Sequence, residues 1–568
     1  MAGPALLGLS LLALPAAGAD RVFENLRGYT WTADGLRRFE ALRISSAGRV
    51  VATGNSETIG RGDGLRHIDG KGATLLPGLI DAHGHVLDLG RTALQVDLSD
   101  ASSLKEALRK VEAFATAHAD ASWILGRGWN QELWPSRTFP LASDLDAVIN
   151  DRPVFLTRVD GHAAWANTHA MRLAGVDAQT REPDGGAILR TDEGEPSGVF
   201  VDAAMTLIES EIPQPTAAQD EAALLLAIEQ LASVGVTSVH DAGVSAATVD
   251  LYRKLADEGR LELRVYAMLS GAEENLRSFE APLIGYGKDR LTVRSVKLYA
   301  DGALGSRGAA LLAAYSDVTS TRGLLFHDLA EMRRLIEKIN ARGFQASVHA
   351  IGDAANRLVL DAFSSVQGGR PSGLRNRIEH AQVVAPDDLS RFRELGLVAS
   401  MQFTHATSDK NMAEARVGPD RIEGAYAWRS LVDRGTLLAG GSDFPVEDPN
   451  PFFGLHAAVA RQDRHGRPPG GWYAGQALNV GEALRAFTLN AAYAAHQEDR
   501  LGSLEPGKWA DFILVDRDPF SIPARDLWRV QVVETWLAGE RIYWQAAENA
   551  DFSSLPGDAR RHRDFREP

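Results

Sequence analysis

The sequence predicts an α/β fold. Its parts are a (β/α)8 TIM-like barrel, a small β-sandwich domain built from both chain ends, and an insertion after the first barrel strand. Three observations predict this. Between residues 75 and 500, short β-branched runs alternate with amphipathic helical stretches, the pattern of a parallel βα architecture. Strand-like alternation punctuated by Gly and Asp appears before that region and returns after it. One stretch, 86–235, holds more chain than a single βα unit needs.

Residues 1–19 come first. Ala5 to Ala17 is apolar except for Gly8, Ser10 and Pro15, and Ala17-Gly18-Ala19 forms a small-x-small pattern ahead of Asp20. This reads as a secretory signal peptide, although no Lys or Arg precedes the run. It predicts a mature chain that starts near Asp20 and is periplasmic or secreted. Residues 20–74 supply the first part of the sandwich, with strands around Gly28–Thr32, Ala41–Ile44 and Val50–Gly54. The barrel occupies 75–500. Its core strands are expected at 75–83, 236–241, 263–269, 293–299, 345–350, 376–381, 397–402 and 437–443. Within 86–235, Gly126-Arg127-Gly128-Trp129 and Trp134-Pro135 predict irregular structure, a lid over the barrel mouth. Residues 501–547 complete the sandwich through Phe512–Asp516 and Val532–Leu537, and 548–568 is a charged tail.

Composition excludes several function classes. The 568 residues are 45% hydrophobic and 24% charged, ordinary values for a globular protein. A net charge of -15 argues against nucleic acid and anionic membrane surfaces as partners. No segment is long and apolar enough to stay inserted in a bilayer once the leader is removed. With no cysteine there is no disulfide, thiolate zinc site or cysteine nucleophile. No Gly-x-Ser-x-Gly elbow, P-loop or dinucleotide fingerprint stands in the right context. A homo-oligomer is left open.

The chemistry starts at Leu79-Ile80-Asp81-Ala82-His83-Gly84-His85, a buried strand that runs into two histidines. In a strand, residues i and i+2 share a face. His83 and His85 therefore present two imidazoles together, which suits a divalent metal. Barrel sites collect at the C-terminal ends of strands. Lys297, His349, His380 and Asp443 stand near the ends of the fourth, fifth, sixth and eighth strands, so six ligand-type groups meet on one rim.

Five stretches complete the pattern. They are Leu76–His85, Val296-Lys297-Leu298-Tyr299-Ala300-Asp301-Gly302, Val348-His349-Ala350-Ile351-Gly352-Asp353, Arg377-Ile378-Glu379-His380 and Gly441-Ser442-Asp443-Phe444-Pro445. With Leu501–Asp511 and Arg158-Val159-Asp160-Gly161-His162, they make the chain resemble the amidohydrolase superfamily. Within it, the chain is similar to the YtcJ-like branch that includes N-substituted formamide deformylases. The resemblance implies a metal-dependent hydrolase of amide or related carbon–nitrogen bonds in a small molecule, with N-formyl or N-acyl amides as the substrate class it suggests. It implies two divalent ions, zinc by preference. His83, His85 and Asp443 would hold one, His349 and His380 the other, and Lys297 would bridge them as a carbamate. A lysine ammonium has no lone pair and repels a cation, whereas carboxylation turns it into an anionic oxygen donor. Asp443 would also serve as the base.

Three more residues are placed on the substrate side: His162 to bind substrate or stabilise an oxyanion, Trp129 to line a pocket, and Arg307 to meet an anionic group. His240 and His405 are expected to support the ligands from behind. Two alternatives stay open. One is a cyclic amidase or deaminase of the same superfamily, and the other is a barrel that binds a small molecule without turnover.

Overall fold

The computed structural model describes residues 18–158, 161, 163–183 and 185–545. The leader, apart from its last two residues, and the charged tail lie outside the described residues.

Eight parallel strands, each hydrogen-bonded to the next, make up the central sheet together with one short antiparallel strand, Leu283–Gly285, at its side. They are β1 (Leu79–Gly84), β2 (Val236–Val244), β3 (Arg264–Ser270), β4 (Leu291–Tyr299), β5 (Gln345–Ala350), β6 (Arg377–His380), β7 (Val398–Gln402) and β8 (Leu437–Gly441). Parallel strands covered on both faces read as near-continuous apolar runs, and these are buried along most of their length. The sheet nearly closes where β8 returns to β1. The Asp443 amide donates to the His83 carbonyl at 2.7 Å, and the His85 amide donates to the Phe444 carbonyl at 2.8 Å. The Asp81 carboxylate reinforces this seam, accepting from the Ser442 amide at 3.1 Å and the Ser442 hydroxyl at 2.6 Å.

The run expected as one strand over 75–83 is two. Thr74–Pro77 pairs antiparallel with Phe512–Val515 from the far end of the chain, and β1 begins only at Leu79. Gly78 is the break. A Cβ there would meet the Thr237 hydroxyl at 2.3 Å, so only glycine lets the chain cross so close to β2.

The chain ends form two sheets. One is four-stranded, in the order Val50–Gly54, Ala41–Ile44, Arg21–Glu24, Arg66–Asp69. The other is six-stranded and joins Gly35–Phe39, Arg27–Thr32 and Thr74–Pro77 to the C-terminal strands Phe512–Val515, Val532–Leu537 and Glu540–Trp544. Phe23 of the first sheet and Phe512 and Trp536 of the second belong to one apolar cluster, with ring centroids 5.0 to 5.1 Å from Phe23.

The segment after β1 departs from expectation. Its two ends belong to the barrel: helix Val86–Ala93 packs on helix Ala217–Ser233, and a Cβ on Gly90 would strike the Ala223 carbonyl oxygen. Between them lies a six-stranded mixed sheet rather than irregular structure, running Gly186–Arg190, Pro196–Asp202, Ala163–Ala166, Val154–Arg158, Ile124–Trp129, Val96–Asp97. The glycines that suggested a loop mark a bulge. Gly128 has φ +94°, and the register between Ile124–Trp129 and Val154–Arg158 shifts across Arg127 and Trp129.

Candidate metal centre

The expected rim groups converge at the C-terminal ends of the strands. One ligating atom each of His83, His380 and Asp443 lies within 4.8 Å of the others. His85 Nε2 is 3.2 Å and His83 Nε2 3.6 Å from the same Asp443 oxygen. Lys297 Nζ stands 3.1 Å from His83 Nε2. The His349 ring centroid is 4.6 Å from that of His380.

Backbone geometry explains why His380 joins them. Strand alternation would send Glu379 and His380 to opposite faces. Instead His380 takes φ 72°, a left-handed conformation rare for a bulky residue, and this brings its ring beside His83 and His349. Asp443 likewise has φ 62°, at the point where the chain leaves β8.

Three of the histidines are held from behind. His83 Nδ1 meets Glu379 Oε2 at 2.6 Å, His85 Nδ1 the Ala242 carbonyl at 2.9 Å, and His380 Nδ1 the Gln402 side-chain oxygen at 2.7 Å. Such partners fix the ring and its tautomer, leaving the other nitrogen for a metal. Glu379 is itself clamped by Arg377, with Nε 2.7 Å from Oε1. Arg377 also donates to the Ala82 carbonyl and the Ser400 hydroxyl, both at 2.7 Å, and its Nη1 lies 2.8 Å from His240 Nδ1. Arg377, Glu379, His83 and His240 are all fully buried, so this is a charged network within the barrel interior.

Electrostatics keep the ligands metal-ready. Burial, with the Lys297 charge adding to it, pushes His83 down to about 4 and His349 to about 3, so both are neutral at pH 7. Burial also holds His380 well below the usual histidine range. Burial alone would raise the Asp443 carboxyl, but the His85 hydrogen bond and the neighbouring histidines hold it well below the carboxylate range. Burial lowers Lys297 to about 8. The donor set fits a cation on a second count. His349 Nε2 and His405 Nε2 are buried yet have no hydrogen-bond partner among the described residues, which is costly for a polar atom with nothing to bind.

A cavity of about 740 Å3 opens beside His85, bordered by Asp88, Ala242, Gly243 and Asp241. Of the substrate-side expectations, Trp129 is corrected. It is fully buried in the core of the inserted sheet, donating its indole N–H to the Leu156 carbonyl at 2.7 Å and packing on Trp134 and Trp165. It sits on a strand whose inward face is apolar and cannot line an open pocket. Arg307 is occupied by Asp317, at 2.9 Å, which also takes Arg416. His162 lies outside the described residues. His405 approaches Asp443, with Nε2 3.8 Å from Oδ2, and its ring stacks 6.0 Å from His380. The expectations passed over Glu379, Gln402 and Asp301. Asp301 Oδ1 lies 3.6 Å from His349 Nε2, and its carboxylate accepts from the Ala310, Ile351 and Gly352 amides. The available signal was Glu379 between Arg377 and His380 in a strand whose neighbours are buried.

The amidohydrolase family model matches residues 66–543. The chain belongs to the amidohydrolase family. It is 31% identical to YtcJ of Bacillus subtilis over 527 residues, covering 91% of this chain and 98% of that protein. It is 28% identical to the N-substituted formamide deformylase of Arthrobacter pascens over 524 residues, covering 88% and 94%. Among solved structures, an uncharacterized metal-dependent hydrolase from Pyrococcus furiosus superposes with a TM-score of 0.74 at 31% identity, covering 89% of this chain and all of that one. This amidohydrolase is thus a metal-dependent enzyme acting on carbon–nitrogen bonds other than peptide bonds.

Proposed function

We propose that this amidohydrolase cleaves the carbon–nitrogen bond of a small N-formyl or N-acyl amide, releasing a carboxylic acid and an amine. His83, His85 and Asp443 would hold one divalent cation and His349 and His380 a second, with zinc the natural choice for a nitrogen-rich set. The observation that carries this reading is the convergence of His83, His380 and Asp443 beside the buried Lys297. When bound, such cations polarise a carbonyl and bring the pKa of a water down to about 7. The chain's own groups do the rest. Glu379, Gln402 and the Ala242 carbonyl orient the imidazoles. Asp443 is the one carboxylate among the ligands, so it takes the proton from the attacking water and passes it to the leaving nitrogen.

Lys297 is read as carboxylated. Its neutral amine attacks CO2, a C–N bond forms, one proton leaves, and the product is an anionic carbamate with two donor oxygens. Burial favours the neutral amine that this step requires. The two terminal sheets are read as one β-sandwich domain, closed by the shared core around Phe23 and Phe512.

A panel of N-formyl and N-acyl amides, assayed for acid, amine and ammonia, tests the reading. Acid and amine in equal amounts are expected. Release of ammonia alone would move the assignment to deamination, and a panel without turnover would remove it.

A further inference from the structure

Tyr299 ends β4 two residues after Lys297, so both side chains leave the same face of the strand. That face is the barrel interior: two residues earlier, the Ser295 hydroxyl meets the Ser347 hydroxyl at 2.7 Å. The Tyr299 ring centroid lies 4.8 Å from Lys297 Nζ and 5.4 Å from the His349 ring. The residue is 43% exposed although it borders a buried charged cluster. Its hydroxyl has no hydrogen-bond partner among the described residues. The hydroxyl hangs over the end of β2, where a Cβ added to Gly243 would sit 3.6 Å from it. Gly243 also borders the cavity beside His85. A phenol O–H therefore stands at the end of β2, on a ring that borders the ligand cluster.

Most of the surrounding described groups are already committed to holding the site. The rear nitrogens of His83, His85 and His380 are occupied by Glu379, Ala242 and Gln402. Arg377 is spent on Glu379, Ser400 and the Ala82 carbonyl beneath the site. Yet attack on an amide carbonyl builds negative charge on its oxygen, and a fixed donor aimed at that charge is usually among the largest contributions to catalysis.

We propose that Tyr299 is a catalytic residue, its hydroxyl donating a hydrogen bond to the substrate carbonyl oxygen as that oxygen takes up negative charge. The proton stays on the tyrosine oxygen throughout, so no bond other than the hydrogen bond is made or broken there. The role rests on the amide-hydrolase reading above.

The test compares holoenzyme with the Tyr299→Phe variant, which keeps the ring against Lys297 and His349 and removes only the hydroxyl. Both are assayed on the same amide panel, with metal content measured on each sample. The expected result is a fall in kcat of about 10²-fold with unchanged metal content. KM should stay within about threefold, because the bond strengthens only as charge develops. A phosphonate analogue of the turned-over amide should lose affinity by a factor similar to the loss in kcat. An active wild type and an equally active Tyr299→Phe would overturn the tyrosine's role and leave the proposed function standing. So would a loss of activity accompanied by loss of metal, which would make the residue structural. A wild type silent across the panel would overturn both.

Discussion

Lys297→Ala is expected to lower amide hydrolysis on the order of 10³-fold, the equivalent of about 4 kcal/mol of lost transition-state stabilisation. Lys297 is almost fully buried, between His83 Nε2 at 3.1 Å and the face of Tyr299. An ammonium in that position would face any cation held by His83 across a pocket of low dielectric, and the repulsion would expel the metal or the proton. The proposed carbamate would remove the conflict and would offer oxygen donors in place of a charged amine. Alanine would remove the proposed bridge and leave a void that a small carboxylic acid can enter. The variant should therefore bind less metal, and propionate should restore part of its activity. Full activity and full metal content in Lys297→Ala would contradict the bridging role.

The barrel was legible because its strands are buried on both faces. Runs such as Val236–Val244 and Leu291–Tyr299 are rich in apolar and β-branched residues and buried along most of their length, and ligand-type groups stand out near their ends. His83, His85, Lys297, His349, His380 and Asp443 were visible for that reason. What lay behind them was less visible. Glu379 and Arg377 are buried charges whose worth comes from partners far away in the chain: His83, His240, Ser400 and the Ala82 carbonyl. His380 reaches the site as expected, but through a left-handed backbone that strand alternation does not predict. The insertion was misread for a related reason. Gly126 and Gly128 read as breakers, but in a strand a glycine also admits a close neighbour or a bulge. A Cβ on Gly126 would meet the Val96 carbonyl oxygen at 2.8 Å. Trp129 then falls inside that sheet's core instead of on the rim.

Glu379→Ala should carry the second large effect, on stability and metal binding together. Removing one member of a buried ion pair costs about 3–5 kcal/mol, because the remaining charge stays desolvated and unpaired. Here that charge is the Arg377 guanidinium, whose Nε faces Glu379 Oε1 at 2.7 Å. The same change unties His83 Nδ1, so its ring loses orientation, and second-layer partners of this kind are commonly worth about 10–100-fold in metal affinity. Urea unfolding should show a lower midpoint, and competition with a chelator should show weaker zinc binding. Glu379→Gln keeps the shape and one acceptor, so it should fall between the wild type and the alanine variant. An unchanged midpoint with unchanged zinc affinity in Glu379→Ala would remove the network from the account.

The central claim is that these converging side chains exist to hold metal for hydrolysis. Elemental analysis of protein purified without added metal, paired with activity before and after chelation, tests it most directly. The account predicts two divalent ions per chain, loss of amide hydrolysis as they are stripped, and recovery that levels off when two equivalents of zinc are returned. Full hydrolytic activity in protein shown to be free of metal would contradict it.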